Sequence, residues 1–356
     1  MVSAYGFLLW FVQPPQVERD VIIRAPVYVQ PETPADAIST EPEDEAPQAN
    51  TLLLPGMAHT AEHTWRDNVF SILIVGEDDG YGGPDVIMVA LFDVNAGEVD
   101  ILSIPRDTVV NVPWGLKKIN SYQHLFGQLP TQHTHYIYAL REGVEKLIGH
   151  RPDFWITLEM GGFVALVDAI GGVEFTVPQR MVYEDPEQDL FINLHPGPQR
   201  LNGANALDLV RFRSFPQGDI TRIQVQQDFL AALSGQLLRA RNILSVDELV
   251  RVFRDNVETN LSLRELIFFA LEFLRLDSEN IRFHAVDATI ANINDSVNGI
   301  SYVTLFVDPW LTLINQYLNP FPWEIEAQDL EILTRDPATG RFFTTNGAPF
   351  SDNWTQ

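Results

Sequence analysis

Arginine residues recur at the ends of apolar segments in this sequence. Arg106 follows an apolar run in Ser103-Ile-Pro-Arg106-Asp107, while Arg211, Arg213 and Arg222 lie far downstream. Because the chain has only 23 basic residues against 48 acidic ones, several arginines meeting at one place would need an anionic ligand to stabilise them. The planar guanidinium group matches phosphate oxygens well. We therefore predict that these four arginines form a phosphate site.

A polar helix face extends this prediction. Arg222 and Gln226 are four residues apart in a predicted helix that Asp219 can cap, so their side chains share one face. The alternative is that each arginine is an ordinary surface residue, Arg106 being paired with Asp107. The recurrence of the arginines in three separate segments favours the shared anion site.

A glycine-rich acidic loop runs from Gly76 to Asp85, between two predicted strands, and contains Asp78. Hard divalent cations prefer carboxylate oxygens, and Mg²⁺ commonly binds one or two carboxylates together with substrate phosphates. Asp78 and Asp85 are therefore candidate ligands of Mg²⁺ or Mn²⁺. The alternative is a solvated acidic turn, which is common in a chain with a net charge of -25.

Composition excludes several classes of protein. The net charge of -25 argues against a nucleic-acid binder, since such proteins use a broad basic surface to replace phosphate counterions. The absence of cysteine excludes disulfides, thiolate zinc sites and thiol nucleophiles. The sequence also lacks a Gly-x-Ser-x-Gly elbow, a P-loop and a Rossmann glycine fingerprint, so it gives no support to serine hydrolases or nucleotide hydrolases.

The first 64 residues differ in character from the rest. Residues 1–12 form a short apolar segment, whereas a spanning helix needs about 20 residues. This segment is either the outer end of a membrane anchor or an ordinary hydrophobic stretch. Residues 13–64 are rich in proline and acidic residues, and such a composition is typical of an extended linker.

Hydrophobic periodicity predicts the elements that position these residues. The predicted strands are Phe70 to Val75, Val86 to Phe92, Val99 to Ile104, Trp155 to Leu158, Val173 to Val177 and Ile281 to Val286. The predicted helices are Ala139 to Ile148, Phe163 to Ile170, Ala204 to Val210, Ile220 to Arg241, Val246 to Val257 and Leu263 to Leu276. Alternating strands and helices, with one hairpin, predict an α/β fold. This fold is a three-layer αβα sandwich with a mixed central sheet and helices on both faces. We assign residues 65–290 to the catalytic domain and residues 291–356 to a C-terminal extension.

The order of the motifs resembles the LytR-CpsA-Psr family over residues 68–285. The resemblance rests on Phe70 to Gly76, Asp85 ahead of a strand, Ser103 to Asp107, Lys118-Ile-Asn120, Val167-Asp-Ala-Ile-Gly-Gly-Val173, Leu201-Asn-Gly203, Arg211-Phe-Arg213 and Asp219 to Gln227. The chain differs from the family pattern at Gly83 and Val225, where arginine is usual, and at Val110, where a basic residue is frequent.

The resemblance implies an extracytoplasmic, membrane-anchored phosphotransferase that moves a glycopolymer from a polyprenyl diphosphate carrier to peptidoglycan or a related cell-wall acceptor. The prenyl chain would occupy an apolar tunnel. Arg106, Arg211, Arg213 and Arg222 would bind the diphosphate, with Gln226 donating a further hydrogen bond, and Asp78 and Asp85 would hold Mg²⁺. Asp107 is the candidate base. A polyprenyl diphosphate hydrolase and a non-catalytic scaffold that binds prenyl phosphate or wall polymer remain alternatives.

Overall fold

The computed structural model describes residues 13–19, 65–77, 83–112, 115–125, 136–186, 190–212, 214–215, 219–240, 246–297, 299–336 and 338–349. The chain divides into two units. One contains the described residues 13–17 and everything described from Arg66 onward, and the other spans Glu18–Trp65. Of the second unit the structure describes only Glu18, Arg19 and Trp65, so the segment 1–12 and most of the linker lie outside the described residues.

A six-stranded mixed sheet forms the centre of the larger unit, in the order β11-β6-β1-β2-β3-β12. Its strands are β1 (Val69–Glu77), β2 (Val86–Asp93), β3 (Glu98–Ile104), β6 (Phe154–Glu159), β11 (Glu258–Thr259) and β12 (Ile281–Ala285). The strand β2 is antiparallel to β1 and β3, whereas β6 is parallel to β1 and β12 is parallel to β3. The predicted mixed sheet and its first hairpin are therefore confirmed.

Within the described residues, five two-stranded sheets accompany it. They are formed by β4 (Val109–Val112) with β5 (Gly115–Lys118), β7 (Val173–Val177) with β10 (Gly197–Leu201), β8 (Met181–Asp185) with β9 (Leu190–Leu194), β13 (Ala291–Val297) with β14 (Ile300–Leu305), and β15 (Leu333–Arg335) with β16 (Phe342–Thr344).

Seven α-helices lie within the described residues. They are α1 (Ile137–Ile148), α2 (Met160–Ala169), α3 (Gly203–Arg211), α4 (Asp219–Ala240), α5 (Val246–Asn256), α6 (Leu263–Phe273) and α7 (Val307–Tyr317). The first six match the predicted helices to within a few residues. The helix α7 was not predicted.

The helices α4 to α6 cover one face of the sheet. Alternate strand residues such as Phe70 and Phe92 are buried together with Leu238 of α4, Val250 of α5 and Phe269 of α6. The rings of Phe70 and Phe269 meet edge to face with their centroids 5.3 Å apart. Successive side chains of a strand point to opposite faces of the sheet. The apolar side chains on the opposite face therefore need a second layer of helices to cover them.

That second layer contains α1 and α7. Tyr138 of α1 contacts Trp155 on this face, and Tyr317 of α7 stacks on His284 with ring centroids 3.8 Å apart. The fully buried Trp310 of α7 donates from Nε1 to the Leu147 carbonyl of α1 at 2.8 Å. The predicted αβα sandwich is therefore correct, and the segment from residue 291 onward contributes part of its second helical layer.

Candidate functional site

The carboxyl end of the sheet, where β1, β3, β6 and β12 end and β2 begins, brings two candidate residues together. Asp85 directly precedes β2, and Arg106 lies two residues after β3. Nη1 of Arg106 donates to Oδ1 of Asp85. Their side chains are 36% and 33% exposed, so both remain accessible to a ligand. The antiparallel pairing of β2 with β3 is the reason that residues 21 positions apart meet.

The backbone turn that carries Arg106 is held from several sides. Nζ of Lys118 lies 2.8 Å from Oδ1 of Asp107, and the Asn120 amide donates to the Arg106 carbonyl at 3.2 Å. The Val303 amide donates to the Asp107 carbonyl at 2.9 Å. These contacts fix the direction in which Arg106 leaves the sheet, which lowers the entropy lost when it binds a ligand. They also mean that Asp107, the candidate base, is engaged in an ion pair.

The helix α4 packs on the sheet through its C-terminal part. Leu238, near the end of α4, is buried with Val99 and Ile281, which lie at the starts of their strands, and α4 also contacts β12 and the short 3₁₀ helix Ser278–Asn280. Because an α-helix rises 1.5 Å per residue, Arg222 lies about 24 Å back along the axis from Leu238. The membership of Arg222 in the anion site stays a prediction.

The junction of α3 and α4 places Arg211 near that helix start. Nε2 of Gln226 donates to the Val210 carbonyl at 2.9 Å. Arg211 follows Val210 directly, and Arg222 lies one turn before Gln226, so the two arginines belong to neighbouring helix termini. The structure thus gives Gln226 a role in joining the helices, and one of its amide hydrogens is already engaged. Arg213 lies outside the described residues.

Two glycine motifs, Val167 to Val173 and Leu201 to Gly203, form the close contact that sets the position of α3. Oδ1 of Asp168 accepts from the Gly203 amide at 2.7 Å, which caps the helix. A Cβ atom on Gly203 would lie 2.2 Å from the Val164 carbonyl oxygen, and one on Gly172, whose φ is +81°, would lie 2.6 Å from the Leu201 carbonyl oxygen. The motifs Val167 to Val173 and Leu201 to Gly203 are therefore structural, and they set the position of α3, which carries Arg211.

Asp208 is a titratable residue near the site that sequence reasoning missed. It lies one turn before Arg211 on α3, so the two side chains can share a face. Burial raises the pKa of Asp208, and the attraction of Arg211 opposes this shift without cancelling it. In a chain with 48 acidic residues, only its spacing from Arg211 could have singled it out. Lys118 was noted only within the motif Lys118-Ile-Asn120, and its contact with Asp107 could not be predicted because it depends on the pairing of β4 with β5.

The predicted metal site is described only in part. Asp85 supplies a hard carboxylate oxygen at the carboxyl end of the sheet, beside Arg106, which fits a Mg²⁺ that shares its shell with phosphate oxygens. Asp78 lies outside the described residues. Within the described part of the chain there is no group of three or more His, Cys, Asp or Glu side chains that could hold a metal ion. The fit therefore depends on one or two carboxylates, as is usual for Mg²⁺.

The positions that differ from the family pattern have clear local environments. Gly83 has a φ of 81°, a left-handed conformation that favours glycine. Val110 is 1% exposed and Val225 is 5% exposed, and Val225 packs in a second core cluster with Val167 and Phe229. Apolar side chains at these two positions are therefore part of the core of this protein.

In the part of the chain that the structure describes, none of the helices combines the length and the apolar character needed to cross a bilayer.

Comparison with known proteins agrees with the motif order. The sequence pattern of the LytR_cpsA_psr family matches residues 32–310. Regulatory protein MsrR of Staphylococcus aureus (strain Mu50 / ATCC 700699) is 29% identical over 202 residues, which cover 55% of this chain and 58% of MsrR. Probable cell wall biosynthesis protein LcpB of Corynebacterium glutamicum is 40% identical over 159 residues, covering 44% of this chain and 35% of LcpB. The matched region thus spans less than two thirds of either relative.

Solved structures share the fold. TagV of B. subtilis is 24% identical and superimposes with a TM-score of 0.58, covering 72% of this chain and 100% of TagV. TagT, solved bound to LI-WTA, is 21% identical with a TM-score of 0.53, covering 72% of this chain and 92% of TagT. The family pattern covers well over half of the sequence and the fold agrees with it, so this protein belongs to the LytR_cpsA_psr family.

Proposed function

We propose that this protein is a phosphotransferase that moves a glycopolymer from a polyprenyl diphosphate carrier to peptidoglycan or a related cell-wall acceptor. The observation that carries the proposal is the contact of Arg106 with Asp85 at the carboxyl end of the sheet. A carboxylate and a guanidinium group at one place are groups that a diphosphate with a bound cation requires.

The relatives support the same reaction. LcpB is named a probable cell wall biosynthesis protein, and TagT has been solved bound to LI-WTA and to LIIa-WTA. We extend this chemistry to the present chain because it belongs to the same family. The proposed site of action is the outer face of a bacterial membrane, since the lipid carrier and the wall acceptor meet there. The partners are then the lipid-linked glycan, the wall acceptor and the membrane.

The reaction exchanges a phosphoanhydride bond for a phosphate ester bond. The acceptor hydroxyl oxygen forms a bond to the phosphorus next to the glycan, and the bond from that phosphorus to the bridging oxygen breaks. Prenyl phosphate leaves with the electron pair, and the hydroxyl proton passes to a base, for which Asp107 is the candidate from sequence. Because the transition state of phosphoryl transfer is loose, the protein contributes mainly by positioning the groups and stabilising charge.

The arginines perform that stabilisation in our proposal. Arg106, Arg211, Arg213 and Arg222 bind the non-bridging and leaving oxygens, and each charge-assisted hydrogen bond contributes roughly 1.5 to 3 kcal/mol. Asp85 and Asp78 would hold Mg²⁺, which supplies further charge neutralisation when bound. The contacts of Lys118 and Asn120 around Arg106 keep its guanidinium directed at the same place during the reaction.

Partly buried apolar side chains on the face of the sheet under α4 to α6 support a lipid substrate. Ile74, Ile101, Ile156 and Phe283 pack against the core under α4 to α6 without being fully buried. A prenyl chain that covered them would gain about 0.8 kcal/mol per buried CH₂ group. The tunnel itself, expected between the sheet and the helices α2 and α4, stays a prediction.

A product analysis tests the proposal. The purified protein is incubated with a prenyl-diphosphate-linked glycan, Mg²⁺ and a peptidoglycan acceptor, and the products are separated by mass spectrometry. Transfer gives prenyl phosphate together with glycan phosphate attached to the acceptor. Prenyl phosphate with free glycan phosphate would instead identify a hydrolase, and binding without turnover would identify a scaffold. Either of those results would overturn the transferase proposal.

A further inference from the structure

A cavity lies at the amino end of the sheet, where β2 ends and β3 and β12 begin. Its volume is about 530 Å³, within the range of roughly 300 to 1,000 Å³ that small-molecule sites have. Residues of β2, β3 and β12 and the segment from α7 to Glu324 line it. At about 3.3 Å per residue, the strand β2 separates this cavity from Asp85 by roughly 25 Å. The cavity is thus distinct from the proposed diphosphate site.

The charged groups that line the cavity are mostly paired with one another. Nη1 of Arg66 lies 2.8 Å from Oδ2 of Asp93. Arg282 binds Asp100 through Nε and Nη2 at 2.8 and 2.7 Å and Glu98 through Nη2 at 2.7 Å. Burial would raise the pKa of Asp100, but hydrogen bonds from Arg282 and His284 outweigh burial and lower it. These carboxylates therefore stay ionised and fixed in direction.

A rigid loop completes the cavity. Oδ1 of Asn315 accepts from the Ile325 amide at 2.7 Å, and Nδ2 of Asn319 donates to the Trp323 carbonyl at 2.6 Å. The rings of Phe321 and Trp323 stack with centroids 4.6 Å apart and an interplanar angle of 19°. The cavity thus presents an aromatic ring and fixed polar groups whose positions do not depend on a ligand, which reduces the cost of ordering on binding.

The charged groups that line the cavity limit the kinds of ligand that it can bind. Among the described residues, four carboxylates and two guanidinium groups line the cavity, so a phosphate or another anion would be repelled. The carboxylates of Asp93, Glu98 and Asp100 already have an arginine partner, which leaves little attraction for a cation. An apolar ligand would remove water from ion pairs without replacing its hydrogen bonds. A neutral molecule with many hydroxyl groups satisfies all three conditions, because each hydroxyl both donates and accepts.

We propose that this cavity binds a neutral sugar ring of a glycan, with Trp323 against its apolar face and Gln316 and the paired carboxylates on its hydroxyl groups. Aromatic side chains combine a large apolar surface with a fixed orientation, which suits the C–H face of a sugar. The site would hold a glycan at the end of the sheet remote from the diphosphate site. The proposal does not depend on the transfer reaction.

Binding of neutral oligosaccharides to the whole protein tests this site. The probes are the tetrasaccharides of N-acetylglucosamine, of β-1,4-linked glucose and of α-1,4-linked glucose, measured by isothermal titration calorimetry and by saturation-transfer NMR. We expect at least one of them to bind with a Kd below about 10 mM. Trp323→Ala and Gln316→Ala should each weaken that binding by about tenfold.

A matched control and an independent variant keep the test decisive. Gln328 is an exposed glutamine outside the cavity, so Gln328→Ala should bind as the unmodified protein does. If Trp323→Ala fails to fold, Gln316→Ala still tests the site, because Gln316 is exposed and its substitution should leave the fold intact. The proposal is wrong if none of the three tetrasaccharides binds, or if Gln316→Ala binds as tightly as Gln328→Ala. Either failure would leave transfer activity unaffected, so it would not be confused with failure of the proposed function.

Discussion

Replacement of Arg106 by alanine should reduce transfer strongly while leaving the fold almost unchanged. Arg106 and Asp85 form an ion pair whose side chains are 36% and 33% exposed, and such pairs contribute only about 0 to 1 kcal/mol to stability. The turn around Arg106 is held by backbone hydrogen bonds and by Lys118, which the substitution retains. We therefore expect only a small decrease in the free energy of unfolding.

The loss of activity should be much larger. A charge-assisted hydrogen bond to a phosphate oxygen contributes roughly 1.5 to 3 kcal/mol, which corresponds to about a 10- to 150-fold lower rate. Arg106→Lys should recover part of this loss, because lysine keeps the charge but not the two-pronged geometry of the guanidinium group.

The assay measures the initial rate of glycan phosphate transfer from a prenyl-diphosphate substrate, together with thermal unfolding of each variant. Arg151→Ala is the matched control, because Arg151 also forms an exposed ion pair, with Glu145 at 2.7 Å, and precedes β6 at the amino end of the sheet. If Arg106→Ala kept a rate within about twofold of Arg151→Ala, the assignment of Arg106 to the diphosphate would be refuted.

Three further outcomes follow from the structure. Asp85→Asn should raise the Mg²⁺ concentration that gives half-maximal activity, because an amide binds a hard cation less well; activity of the unmodified protein that a chelator leaves unchanged would contradict the metal assignment. Gly203→Ala should destabilise the fold by about 1 to 3 kcal/mol, since its Cβ would lie 2.2 Å from the carbonyl oxygen of Val164. Gly161→Ala should not destabilise the fold, because nothing lies within 4 Å of a Cβ atom at that position. Equal melting temperatures of the two variants would refute the close packing at Gly203. Burial raises the pKa of Asp208. The stability that its protonated carboxyl group contributes is therefore complete below about pH 3.9 and is lost as the pH rises through the raised pKa. Asp208→Asn should therefore raise the melting temperature at pH 7, with a gain that shrinks below about pH 4; a lower melting temperature at pH 7 would oppose this.

Several features of the site were visible in the sequence because they depend on local patterns. Arg106 follows the strand that ends at Ile104 and Asp85 ends the loop before the next strand, so each residue borders an apolar run, and the structure brings the two residues into contact. The helix face shared by Arg222 and Gln226 follows from their spacing. Period-two and period-3.6 patterns predicted the strands and helices that carry them, because those patterns record which face of an element is buried.

Other features depend on contacts between distant residues, for which a single sequence carries no signal. The glycine motifs around Gly172 and Gly203 were noted only as part of the family pattern, and the structure shows that they allow two backbones to approach closely. Gln226, expected to bind the diphosphate, also joins α4 to the end of α3. The helix α7 escaped prediction because its burial depends on α1, more than 150 residues earlier, through Trp310 and Leu147.

The sequence by itself determined the class of fold, the first six helices and most strands of the central sheet, and it named the residues of the predicted anion site, because hydrophobic periodicity and residue type act over short distances along the chain. The tertiary structure alone decided the order of the strands, the pairing of Arg106 with Asp85 and the cavity at the amino end of the sheet. That cavity joins Arg66 and Asp93 with Arg282 and Trp323, residues that no local pattern connects. The physical reason is that strand pairing and layer packing are set by the burial of the whole core, which becomes defined only when all elements are in place.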